Sequence, residues 1–214
     1  MTMTTSEIKS VVDHILLGDF AELAGCIEPE SVQLIYTDPP YRRDLALVCF
    51  SLLNEWAPRL LSDGGSLVTI VPHYLLDEAM AIMRDSLKFR WIYDMDQEAG
   101  PHPRMAMGIE VCWKPMLHYV KRAYPQGRGF LRDKVVIPGP EKFMHEWQQA
   151  EAWGEYYIQK LTEPGDVVLD PFCGPGTVPS ICIKNNRHFI GIEREPMVYR
   201  DALRRIAFAE NDPD

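Results

Sequence analysis

Four consecutive residues, Asp38-Pro39-Pro40-Tyr41, hold the most readable chemistry in the chain. They follow the apolar run Ser31 to Tyr36, which places the Asp38 carboxylate at the end of a buried strand. A carboxylate and the Pro39 carbonyl are two acceptors side by side. Together they would take both hydrogens of a planar amino group and turn it toward tetrahedral geometry. The lone pair, until then delocalised, would be free to attack an electrophile. Such a site works by positioning and electrostatics rather than by covalent catalysis. Pro39 and Pro40 fix the backbone that aims the carbonyl. Tyr41 offers an aromatic face to a planar ring. The plain alternative is a strand-terminating turn, for which Pro-Pro beside Asp or Tyr is common.

A second constellation lies near the C-terminal end. The strand-like Asp166-Val167-Val168-Leu169 runs into Asp170-Pro171-Phe172-Cys173-Gly174-Pro175-Gly176-Thr177 and then a helix. Two glycines there would let backbone approach a ligand at the carboxyl edge of a sheet. The next strand ends Ile190-Gly191-Ile192-Glu193, with an acid placed to accept hydrogen bonds from ribose hydroxyls. A Gly-x-Gly turn alone is a weak signal; the ordered series of strand, acid, turn, helix, strand and acid is a stronger one. The turn lacks the Gly-Lys-Ser/Thr ending that cradles triphosphates.

With both motifs in view, the chain resembles the β-class DNA amino-methyltransferases, as a small, phage-like member. Their cofactor motif is Asp-Pro-Phe-x-Gly-x-Gly-Thr, and Asp170, Pro171, Phe172, Gly174, Gly176 and Thr177 match each fixed position. The resemblance implies that Asp170 to Gly176 line the methionine part of S-adenosyl-L-methionine and that Glu193 holds its ribose. It implies that Asp19, in Leu17-Gly18-Asp19, meets the cofactor adenine and that Asp38 borders the same site. In His145-Glu146-Trp147-Gln148-Gln149-Ala150 only the His and Gln match the family's His-Pro-Thr-Gln-Lys-Pro, and Gln148 is the candidate for the cofactor carboxylate. The likeness spans about residues 11 to 209.

Motif order bears on the substrate. The tetrapeptide precedes the cofactor motif here, a circular permutation that resembles the β-class DNA enzymes. Many related RNA and protein methyltransferases have the cofactor motif first. Asp at the first tetrapeptide position resembles the adenine N6 enzymes, and Ser there the cytosine N4 enzymes. A cytosine C5 mechanism needs a cysteine nucleophile, usually after proline, and the chain has no Pro-Cys pair. The resemblance thus implies adenine N6 methylation of a flipped base in double-stranded DNA, with S-adenosyl-L-methionine as cofactor, no metal, and a homodimer as in many relatives. Cytosine N4 or RNA methylation stays open beside it. So does a non-catalytic DNA-binding or regulatory subunit with the same fold.

The elements that must position these motifs follow from periodicity. At 214 residues, 46% apolar and 25% charged, the chain fits a single domain over 1–214. No apolar run reaches membrane-spanning length and the first nine residues are polar, so neither a span nor a signal peptide is expected. Five cysteines without paired close spacing suit a reducing cytoplasm and no structural zinc. Strands are expected at Ser31–Tyr36, Ser66–Val71 (introduced by an Asp63-Gly64-Gly65 turn), Arg90–Tyr93, Ile109–Trp113, Asp166–Leu169 and His188–Ile192. Helices are expected at Leu45–Leu60, Leu75–Leu87, Trp147–Leu161, from Val178, and at Met197–Ala209. This alternation predicts an α/β fold with a doubly wound, mostly parallel, Rossmann-like sheet.

The net charge of −9 is unfavourable for approach to DNA, so any DNA face must be a local basic patch. Arg42 and Arg43, directly after Tyr41, suit phosphate beside a flipped base or, equally, a solvated loop. His102 and Arg104 read as plain loop residues. A short target-recognition segment is expected at about 115–146. Its basic stretch holds Lys121, Arg122, Arg128, Arg132 and Lys134 against the one acid Asp133.

Overall fold

The computed structural model describes residues 11–97, 104–105, 107–125, 127, 129–137 and 146–211, the side chains of 96–97, 137 and 146–150 excepted. Hydrophobic residues alternate along the strands so that each strand feeds two cores. Ile35, Leu67, Leu117 and Leu169 face one side of the sheet. Leu34, Val68, Met116 and Val168 face the other. A sheet buried on both faces needs helices on both, and the described residues supply three on each.

The elements run β1 His14–Leu17, α1 Phe20–Leu23, β2 Val32–Thr37, α2 Arg43–Leu60, β3 Leu61–Ile70, α3 Leu76–Ile82 and β4 Lys88–Gln97. They continue with β5 Arg104–Met105, β6 Ile109–Glu110, β7 Trp113–Val120, β8 Lys134–Ile137, α4 Glu146–Leu161, β9 Val167–Asp170, α5 Thr177–Lys184, β10 His188–Glu193 and α6 Pro196–Asn211. Eight strands form one sheet in the order β1-β10-β9-β2-β3-β7-β4-β8, while β5 and β6 pair as a separate hairpin. The neighbours β1, β10, β9, β2 and β3 are parallel; β7 alone runs antiparallel to its neighbours β3 and β4. Helices α1, α2 and α3 pack on one face through Phe20, Phe50, Leu53 and Ala79. Helices α4, α5 and α6 pack on the other through Tyr157, Ile181 and Ala202. The doubly wound, mostly parallel α/β sheet is as expected.

Three expectations change. Asp63-Gly64-Gly65 is no entry turn but a bulge within β3, where an advance of two positions along β2 (Val32 to Leu34) matches an advance of five along β3 (Leu61 to Ser66). Gly64 adopts φ +78°, and a Cβ on Gly65 would stand 2.9 Å from the Ser62 carbonyl, so only glycines fit. The helix expected over 75–87 is shorter, ending at Ile82. The largest change is β7. The strand expected at 109–113 breaks after Glu110, and Trp113–Val120 becomes a central strand between β3 and β4. Residues 115–120 therefore belong to the sheet, not to a recognition segment. Pro115 argues against a central strand. It is tolerated because it stands at the last rungs, opposite Asp94, where its carbonyl accepts the Val71 N–H at 2.9 Å just past the end of β3.

Candidate active site

Strand direction determines what meets at one edge. The carboxyl ends of β1, β10, β9 and β2 bring together Gly18-Asp19, Glu193, Asp170-Pro171-Phe172 and Asp38, in that order. Helix α2 leaves β2 toward one face and α5 leaves β9 toward the other. The crevice between adjacent β9 and β2 is thus a topological switch point, where open α/β sheets bind ligands. A cavity of about 600 Å³ opens there, within the size range of small-molecule sites. Gly18, Asp19, Asp38, Pro40, Pro171, Phe172, Gly174 and Glu193 line it. One wall is apolar, Leu45, Val48, Cys49 and Leu52 on one stripe of α2 with Ile192, while Glu22, Arg194 and Glu195 add charge to the lining. Sequence reasoning missed that stripe. In sequence Leu45, Val48 and Leu52 share one apolar helical stripe; only the fold shows that Val48 stays exposed at the cavity.

Each acid is held by local structure. Asp19 caps α1 by accepting the Ala21 N–H at 2.9 Å. Glu193 accepts the Glu195 N–H at 2.8 Å. Phe172 meets Phe20 edge to face at 5.8 Å, joining the first and last parts of the chain around the cavity. Gly174, at φ +51°, has open space where a side chain would stand. Asp170 lies beneath the cavity, buried, accepting the Thr37 hydroxyl at 2.6 Å and the Phe172 N–H at 3.2 Å. Burial pushes its carboxyl up to about 7, against the pull of those two hydrogen bonds. The Thr37 bond also locks the end of β2 to the end of β9, just before Asp38.

Two residues of the glycine turn face away from the cavity. A Cβ on Gly176 would meet the Ala202 Cα at 3.1 Å, so this glycine permits close packing of α5 on α6. The Thr177 hydroxyl accepts from Arg205 of α6 at 2.8 Å. Both serve the helix that carries the turn rather than its lining. Gln148 falls on α4, and its side chain lies outside the described residues, as do Arg128 and His102.

Asp38 lines the cavity, with part of its surface exposed. Burial raises its carboxyl above the usual range, while the Lys114 charge and a hydrogen bond from Tyr41 pull it back. That bond is 3.3 Å from the Tyr41 hydroxyl. The Tyr41 carbonyl in turn accepts from the Tyr74 hydroxyl. Tyr41, Tyr74 and Trp113 all keep more than a third of their surface exposed, and Trp113 stands edge-on to His73 at 5.0 Å. Tyr74 is thus tied to Tyr41, and Trp113 packs on His73, one residue before Tyr74, which gathers these rings as an aromatic rim beside the tetrapeptide. Only Tyr41 was legible beforehand; the others arrive from the end of β3 and the start of β7.

The candidate DNA cations divide. Arg42 grips Asp44 through two bonds of 2.7 and 2.8 Å, and Arg43 pairs with Glu78. Both are surface pairs beside the tetrapeptide, worth little to stability. Lys121 and Arg122 lie elsewhere: because β7 runs antiparallel, they follow its far end, roughly 20 Å from the catalytic edge at ~3.3 Å per residue. Lys121 is buried, donating to Glu30 at 2.8 Å and to the Leu61 carbonyl at 2.7 Å, and Arg122 pairs with Asp63. Both are tied to the β3 bulge, Lys121 also through backbone bonds with Gly64 and Gly65. Arg132 and Lys134 line a second groove of about 560 Å³ with Arg90, Trp91 and the fully exposed Phe130. Lys134 there lies 3.6 Å from Asp94.

A switch-point cavity with acids at successive strand ends, and the Asp-Pro-Pro-Tyr tetrapeptide at its rim, is the arrangement of a nucleotide-cofactor group-transfer enzyme. The comparisons give the family. The model for DNA methylases of the N6/N4 type matches residues 108–204. The DNA adenine methyltransferase YhdJ of Escherichia coli K12 is 39% identical over 96% of this chain and 85% of its own length. The chain belongs to the N6/N4 DNA methylase family. Among solved structures, the M1.HpyAVI–SAM complex superposes with a TM-score of 0.71 at 23% identity, covering 90% of this chain and 98% of that one. The cytosine-N4-specific PvuII DNA methyltransferase superposes at 0.75 with 16% identity, covering 94% and 92%. At those identities they show the shared Rossmann-like fold alone. Among the described residues no helix is long and apolar enough to cross a membrane.

Proposed function

We propose that this DNA methyltransferase acts on adenine N6 of a base flipped out of duplex DNA. The observation that carries the reading is Asp38, held at the end of β2 by the Thr37–Asp170 bond and opening on both the cavity and the aromatic rim. S-adenosyl-L-methionine is the methyl donor, and when bound it supplies an electrophilic methyl group. The cavity fits it in size and chemistry. Glu193 suits its ribose hydroxyls, Phe172 and the apolar stripe of α2 its adenine with Asp19 at the ring edge, and Asp170 its positively charged end.

The protein's own work is then positional. Asp38 accepts a hydrogen from the target amine. The Pro39 carbonyl is the second acceptor in this reading. Tyr41, Tyr74 and Trp113 receive the flipped ring by stacking. Apolar lining keeps water from the transfer. The 39% identity to an adenine enzyme supports adenine over cytosine. Arg42, Arg43, Arg132 and Lys134 are the proposed phosphate contacts.

To test the reading, the protein is incubated with radiolabelled methyl donor and, side by side, mixed-sequence duplex DNA and RNA. Digestion to nucleosides should place the label in N6-methyldeoxyadenosine. Label in N4-methyldeoxycytidine, or only in RNA, would overturn it.

A pH prediction follows from Asp170. Its carboxyl sits up at about 7, so below that pH the empty site holds it protonated. A bound cation favours the ionised form. Cofactor binding should therefore release a proton and tighten several-fold as pH rises from 6 to 8. Titration calorimetry in two buffers of different ionisation enthalpy reads both effects. A dissociation constant flat across that range would count against Asp170 as the partner of the cofactor's charge.

A further inference from the structure

One cation beside the tetrapeptide has no part in the chemistry above. Lys114 is the second residue of β7, and the antiparallel run of that strand delivers its ammonium to the catalytic edge. The Nζ stands 5.2 Å from the centroid of the Tyr41 ring, whose hydroxyl donates to Asp38 at 3.3 Å. Trp113, immediately before it, is braced edge-on against His73, so the start of β7 is fixed rather than splayed.

The other charged and titratable groups that act on Asp38 make Lys114 distinctive. From its own loop comes the Tyr41 hydroxyl, from β2 Tyr36, and from β9 the Asp170 carboxyl, whose negative charge and that of Asp38 disfavour each other. Lys114 is the cation that opposes this, lowering the Asp38 carboxyl that burial raises. An ionised carboxylate accepts on both oxygens; once protonated it is a donor on one oxygen and keeps only the weaker, uncharged acceptor on the other.

We propose that Lys114 is a positioning residue for the transfer, its ammonium holding the Tyr41 ring and the Asp38 carboxylate in the one arrangement that receives the target amine. The inference rests on the proposed function for its purpose, but its physical content is a coupling between two side chains that can be measured without substrate. A cation over the ring face restrains Tyr41 through its quadrupole. The same cation favours the charged form of Asp38, which burial and the Asp170 carboxyl disfavour.

The experiment follows the Asp38 side-chain carboxyl carbon by NMR against pH, assigned with Asp38→Asn, in the wild-type protein, Lys114→Gln and Lys114→Arg. Lys114→Gln should raise the titration midpoint by about one unit, the low end of what a neighbouring opposite charge contributes. Lys114→Arg should return it close to wild type. The rate of DNA methylation should follow, with the Gln variant losing about tenfold at the foot of the acid limb and recovering at high pH. An unmoved midpoint in a Gln variant that is folded by its amide spectrum overturns the inference. So does a loss that is equal at all pH values, or one confined to a salt-dependent KM for DNA, which would make Lys114 a phosphate contact. A midpoint that moves in a protein methylating no nucleoside at any pH leaves the coupling standing and brings down the proposed function instead.

Discussion

Asp38→Ala is expected to lower the methylation rate at least ~10³-fold, about 4 kcal/mol of transition-state stabilisation, while leaving cofactor affinity within a few-fold. Alanine removes the acceptor that turns the amine lone pair toward the methyl group. It leaves the strand end intact, because the Thr37–Asp170 bond that locks β2 to β9 does not involve the Asp38 side chain. The fold should not suffer either, since burial already disfavours the charged carboxyl there. Asp38→Asn sharpens the reading. It keeps an acceptor oxygen and loses the charge, so it should fall between wild type and alanine. Single-turnover rates give the chemical step and calorimetry gives the cofactor affinity. An alanine variant within tenfold of wild type would remove Asp38 from the mechanism.

Glu151→Ala is expected to have the largest effect on stability. Glu151 of α4 is buried and accepts from Ser180 at 2.9 Å, Lys184 at 2.7 Å and Arg205 at 2.8 and 3.2 Å. One carboxylate thus joins α4, α5 and α6, the three helices of one face. The Arg205 side chain is only 4% exposed. Truncating Glu151 leaves that guanidinium buried without the carboxylate that neutralises it, a change that typically costs about 3–5 kcal/mol. For a chain of this size that corresponds to a fall in melting temperature of roughly 10 °C. Arg205 also donates to Thr177 at the start of α5, so the glycine turn should loosen and cofactor affinity should weaken with it. Replacing Glu151 and Arg205 together by leucine and methionine should recover much of the loss, because both charges then leave the interior. Calorimetric melting of the three proteins checks this; a single variant that melts within 3 °C of wild type would mean the pair is dispensable.

The comparison of Lys121 with Lys114 shows what could be read beforehand and what could not. Strand, acid, turn and helix are contiguous in sequence, so Asp38-Pro39-Pro40-Tyr41 and Asp170 to Gly174 carry their own geometry: each follows a buried strand and must emerge at its carboxyl end. Glu193 follows the same rule one strand on. The alternation that predicts two helix-covered faces is equally local. The glycines are legible only in part. Gly174 opens to the cavity, whereas Gly176 is small because Ala202, 26 residues later, packs against it. Such a reason lies in another element.

The cations depended on strand direction. Clustering along the chain suggested Lys121 and Arg122 as partners for DNA, yet they sit at the opposite sheet edge, tied to Glu30 and Asp63. Lys114, seven residues earlier and unremarkable in sequence, stands beside Tyr41 and Asp38. Reversing β7 exchanges these two sets, and strand direction is set by long-range pairing with β3 and β4 that no local pattern records. The sequence by itself determined the Asp-Pro-Pro-Tyr tetrapeptide, the glycine turn after β9 and the order of the two along the chain, because each is short and ends a strand. The tertiary structure alone decided which charges and rings surround them, because those neighbours come from strands and helices that meet only when the sheet is assembled.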